Sequence, residues 1–149
     1  MTEVITPANS AVAKVAPKRG PKPVLLKNGK PLSEAKKEAK AAISAAKTAQ
    51  REANAAFKSA QANLGKLVKA AEKATALESK VVNDTKLQAK DKAGYKAAVT
   101  AAKAATKLAQ AAIKTAEKEV ASATKAAEKA AGGVAKAEAA LAKLEASVH

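Results

Sequence analysis

The charged side chains of this 149-residue protein are mostly amines. Lysine and arginine number 28 against 13 aspartate and glutamate, giving a formal net charge of +15. Only Arg19 and Arg51 are arginines. A solvated ammonium is a compact point charge with three donors and no basic lone pair at neutral pH, so it pairs with anions and does no acid–base work. The sole histidine is His149 and cysteine is absent, so no histidine-based triad, thiolate nucleophile or cysteine/histidine metal set can be assembled. Neither a phosphate-binding glycine loop nor a dinucleotide fingerprint occurs. The expectation is a non-enzyme without cofactor or metal. A chain this cationic attracts polyanions: nucleic acid, an anionic membrane surface or an acidic protein.

The basic residues obey a rule. Lys36/Lys40 recur eleven residues later as Lys47/Arg51, then as Lys58, Lys69/Lys73 and Lys80. After one extra residue the series resumes as Lys92/Lys96, Lys103/Lys107, Lys114/Lys118, Lys125/Lys129 and Lys136. Eleven residues are nearly three helical turns, so each repeat drifts by only about 20° and advances about 16 Å. On a helix these lysines form a slowly winding stripe. Pairs four apart also place like charges side by side, at a cost of roughly a few tenths of a kcal/mol each in the free helix. The favourable order, a carboxylate four residues before a lysine or arginine, does not occur once. Charge interleaving for a stable free helix is missing, and a polyanion would relieve the repulsion.

Elements that could carry this stripe follow from proline, alanine and the larger apolar residues. All five prolines precede Leu32. Residues 1–32 hold six basic residues against Glu3 alone, and they predict an extended, mobile basic arm. Within it, Val24-Leu25-Leu26 followed by Asn28-Gly29 signals a small hairpin, which Pro31 keeps short. Beyond residue 32 alanine, lysine, glutamate, glutamine and leucine dominate, all strong helix formers. Ser33 is the expected N-cap, with Glu34 in the first turn. One helix is expected over 33–81, a turn over 82–94 with caps near Asp84 and Asp91, and a second helix over 95–146. Gly65 and Gly132-Gly133 are mild interruptions.

The apolar residues follow a separate, seven-residue rule. Ile43, Gln50, Phe57 and Leu64 fall on one row, written a, and Ala39, Ala46, Ala53, Ala60, Leu67, Ala74 and Val81 on the row three residues on, written d. In the second half, Val99, Thr106, Ile113, Val120, Ala127, Val134 and Leu141 form row a, and Tyr95, Ala102, Ala109, Ala116, Ala123, Ala130, Ala137 and Leu144 form row d. Alanine at nearly every d lets two helices approach closely. The expected fold is all-α: a basic arm, then two long helices in an antiparallel coiled-coil hairpin. Pairing between chains into a homo-oligomer is the alternative.

Two resemblances bear on function. Pro17-Lys18-Arg19-Gly20-Pro21-Lys22-Pro23 resembles a degenerate AT-hook, the basic motif that lies in the A·T minor groove. That family places an arginine between glycine and proline; here Pro21 follows Gly20 directly and Arg19 would substitute. The lysine, alanine and proline bias over most of the chain resembles the tails of linker-histone-like (histone H1-like) nucleoid proteins of bacteria and their viruses. It departs in that proline stops at Pro31. The resemblance implies a protein that coats and compacts double-stranded DNA with little sequence preference. It implies a cytoplasmic, nucleoid-associated or intravirion location.

Candidate phosphate contacts are Lys18, Arg19 and Lys22 in the arm, Lys36, Lys40, Lys47, Arg51, Lys69 and Lys73 in the first helix, and Lys92, Lys96, Lys103, Lys107, Lys114, Lys118, Lys125 and Lys129 in the second. Their mechanism would be counterion release; the lysines, which are all but two of them, lack the bidentate fork that reads bases. Phe57 and Tyr95, the only aromatics, belong to the seam and offer no stacking platform. Competing readings are a solvated lysine face with no partner, a coiled-coil virion or scaffold protein touching packaged genome or acidic neighbours, and a lipid- or desiccation-protective chain. Eleven-residue repeats also occur in late-embryogenesis-abundant and synuclein-like chains, but alanine supplies little to insert into a membrane. No secretory leader and no apolar run of spanning length is read in the sequence.

Overall fold

The computed structural model describes residues 20–147. Three helices follow one another: α1 over Leu32–Val82, α2 over Thr85–Lys90 and α3 over Lys92–Ala146. At 1.5 Å per residue, α1 with 51 residues and α3 with 55 are each about 80 Å long. They pack against each other along their lengths as a helical hairpin. Leu64 shares a hollow with Val120, Leu67 with Ala116, and Val68 with Ile113, while Lys47 meets Glu138. Rising numbers on α1 meet falling numbers on α3, so the partners run in opposite directions.

Burial reproduces the seven-residue rule. Between Lys36 and Val82, the α1 residues that are not fully exposed are those of rows a and d alone. On α3 both rows, Val99 to Leu141 and Tyr95 to Leu144, are half-buried or buried. Seam burial is thin: Ala116 is 2% exposed, while Thr106 and Val134 are at 8% and 9%. Threonine hydroxyls in α3, Thr106 among them, donate to the carbonyl four residues back, which satisfies the polar atom inside its own helix. Helix α3 runs unbroken through Gly132 and Gly133, and α1 through Gly65.

The ends differ from the sequence expectation. Helix α1 starts at Leu32, not after a Ser33 cap. Pro31, at φ −60° and ψ 133°, gives its carbonyl to the N–H groups of Glu34 and Ala35 at 3.1 Å each. Pro31 is thus the N-cap residue, where the missing proline N–H costs no helical hydrogen bond. Within the stretch expected to be an extended arm, the small hairpin signalled by Asn28-Gly29 is present as a clip from Val24 onward. Leu25 bridges Pro31, Leu26 N–H donates to Lys30, and Leu32 N–H donates to the Val24 carbonyl. Gly29 turns it with φ +78°, a conformation that favours glycine. Lys30 Nζ then pairs with Glu38 at 2.7 Å, fastening the clip to α1.

At the far end the expected turn contains α2. Asp84 accepts from Leu87 N–H at 3.0 Å, and Asp91 from Gly94 N–H at 2.9 Å. Two aspartate caps thus start two helices. The second sets the start of α3 at Lys92, three residues earlier than expected. Tyr95 Oη donates to the Val82 carbonyl at 2.7 Å, closing the hairpin across the turn.

Candidate nucleic-acid interface

The one-residue slip in the lysine series acquires a meaning once both helices are in place. Lys36 and Lys92 are fifty-six residues apart, which is eight heptads. Lys40, Lys47, Arg51, Lys58, Lys69, Lys73 and Lys80 recur at the same offset as Lys96, Lys103, Lys107, Lys114, Lys125, Lys129 and Lys136. An offset of five elevens would have put the second series out of phase with the seam. The extra residue restores the phase, so both helices carry basic residues at the same heptad positions. Two antiparallel helices marked alike are related by a local two-fold axis across the seam.

Around a helix the heptad positions run a, e, b, f, c, g, d, with b, f and c farthest from the partner. Counting from the seam, Lys40 and Lys47 are at e, Arg51 and Lys58 at b, Lys69 at f, and Lys73 and Lys80 at c. On α3, Lys96 and Lys103 are at e, Lys107 and Lys114 at b, Lys118 and Lys125 at f, and Lys129 and Lys136 at c. Each stripe therefore begins beside the seam near the N-terminus of its helix. It crosses the outer surface at mid-length and ends on the opposite side.

Every candidate lysine or arginine within the described residues is exposed except Lys36. Lys36 is half-buried on row a, where the eleven-residue and seven-residue rules intersect, and so is a poor phosphate contact. Lys22 is exposed just before the clip. Pro17, Lys18 and Arg19, the first three residues of the AT-hook-like segment, lie outside the described residues. Lys47 is exposed but its Nζ is 3.1 Å from Glu138 Oε1, so a phosphate there competes with a carboxylate. Among the described residues this and Lys30–Glu38 are the two ion pairs. The other basic side chains of the stripes carry no carboxylate partner in that set.

Two runs extend the stripes. Lys66/Lys73/Lys80 and Lys129/Lys136/Lys143 repeat every seven residues at position c, and all six are exposed. Lys66 and Lys143 do not belong to the eleven-residue series; a seven-residue count of lysines alone finds them. The carboxylates are interspersed, with Glu72 beside Lys69 and Lys73 and Glu128 beside Lys125 and Lys129. Among the described residues no three histidine, aspartate or glutamate side chains gather as a metal site, and no helix is long and apolar enough to cross a membrane. The shallow hollows along the seam are lined mainly by alanine, threonine, glutamine and branched aliphatics, together with Lys69, Glu72 and Glu119. Such a surface presents regularly spaced positive charges that suit a polyanion. No protein-family model, curated protein or solved structure matches this chain.

Proposed function

We propose that this protein binds double-stranded DNA without sequence specificity and compacts it, as an antiparallel coiled-coil hairpin with a basic arm at its open end. The observation that carries the reading is the pair of exposed, largely unpaired lysine stripes, repeated at an offset that keeps both helices in the same register. Lysine ammonium groups would meet phosphates and release condensed counterions, which makes affinity fall steeply with salt. The arm, with Lys18, Arg19 and Lys22, adds contacts to the same duplex.

A gel shift with a random-sequence duplex tests it. Affinity is expected to fall by about 10³-fold or more between 50 and 200 mM salt, given a slope near −0.9 per phosphate contact. Glutamine at Arg51, Lys58, Lys69, Lys73, Lys107, Lys114, Lys118 and Lys125 together is expected to weaken binding more than about tenfold at low salt while preserving helicity by circular dichroism. Absence of a shift at the lowest salt, or equal affinity in the eightfold variant, would overturn the reading.

A second reading, a virion or scaffold protein that assembles through its own surface, is favoured by Leu77 and Leu108. They are 59% and 74% exposed, on positions g and c of the same side of the hairpin. A concentration-dependent oligomer with no affinity for duplex DNA would select it.

A further inference from the structure

We infer that one hairpin bridges two DNA duplexes, one on each flank. The inference rests on the DNA-binding reading and adds its geometry. At mid-length the two stripes occupy the same stretch of the rod, since α3 residues 110–120 lie alongside α1 residues 64–75. There the basic residues of both helices are at b, f and c, turned away from the seam. Arg51, Lys58, Lys69 and Lys73 mark the outer flank of α1. Lys107, Lys114, Lys118 and Lys125 mark the outer flank of α3. All eight are exposed, and none has an ion-pair partner among the described residues.

The flanks point in opposite directions across two helices, a width of roughly 20 Å for axes about 8–10 Å apart and helices about 10–12 Å thick. One duplex cannot serve both. Its persistence length is about 150 bp, so it does not fold around a rod that narrow. A single rigid duplex lies along one flank and leaves the other unneutralised. The exposed remaining stripe then recruits a second duplex. Because the local two-fold axis exchanges the stripes, the two sites are near-equivalent.

Bridging is read by energy transfer between two short duplexes carrying different dyes, mixed with the full-length chain at low salt. Two variants accompany it: R51Q/K58Q/K69Q/K73Q and K107Q/K114Q/K118Q/K125Q. Wild type is expected to bring the duplexes together. Each one-flank variant is expected to lose that transfer. Its affinity for a single duplex should fall by only about twofold, the statistical loss of one of two equivalent sites. Sedimentation of wild type confirms one chain per pair of duplexes. If wild type binds a duplex but joins none, or either variant joins duplexes as well as wild type, or two chains are needed per junction, the inference is wrong and DNA binding still stands. If wild type shows no shift with one duplex, DNA binding itself fails.

Discussion

Tyr95 carries more of the hairpin than its row position alone conveys. Its ring fills a d position at the turn, as the seven-residue pattern requires. Its hydroxyl also donates to the Val82 carbonyl, one of the last carbonyls of α1, left without a helical partner. Removing that bond in Tyr95→Phe leaves the ring in place. Stability is expected to drop by about 0.5–1 kcal/mol by urea unfolding, because the site is at the wet edge of the turn. An unchanged midpoint would mean that water serves the carbonyl equally well. The ring's place was legible in the sequence. The bond was not, because it depends on where α1 stops. Lys36 teaches the same lesson from the other end. Its basic pair with Lys40 was visible, but its share in the seam was not, because a lysine one heptad before Ile43 does not read as a seam residue until its burial is seen.

The seam is the most legible element. Row a with its larger aliphatics and row d with its alanines were readable in both halves; burial follows them residue by residue in α1, while α3 also half-buries Ala98, Ala112 and Thr124 beside them. Periodicity is local information, and a two-helix seam needs little else. The clip at residues 24–31 was only half legible, since a single bridge and one ion pair depend on the open end that supports them. Helix α2 was hidden among cap-forming residues, each consistent with a plain turn. Alanine in row d makes its own prediction. Ala116 is 2% exposed and faces Leu67. Ala116→Leu adds bulk at the most deeply buried of these seam positions and is expected to cost about 1–3 kcal/mol. Ala121→Leu, on the exposed face, is expected to stay within about 0.5 kcal/mol. Equal effects in urea titrations would mean that the helices are not held close by alanine.

At the scale of the molecule, the two sequence rules compete. The seam holds the helices together with thin burial, and the stripes push charge apart along and across them. The net charge is +15, and the like-charged pairs four residues apart are not offset by carboxylates in the favourable order. Successive basic pairs are about 16 Å apart along each helix. That distance lies inside the screening length of about 30 Å at 0.01 M salt and outside the roughly 8 Å at 0.15 M. Repulsion between repeats therefore acts in dilute buffer and is removed at moderate ionic strength. Thermal stability of the free protein is expected to rise between these two conditions, by roughly a few degrees if about 1 kcal/mol of repulsion is relieved. Affinity for DNA should fall over the same range, since the same ions replace the protein on the phosphates. The eightfold glutamine variant should start more stable in dilute buffer and respond less to salt. Calorimetry at the two ionic strengths decides the matter. A melting temperature that drops as salt is added would mean that the attractive pairs, Lys47–Glu138 and Lys30–Glu38, outweigh the stripes. In that case the free hairpin would have no stored repulsion for a polyanion to release.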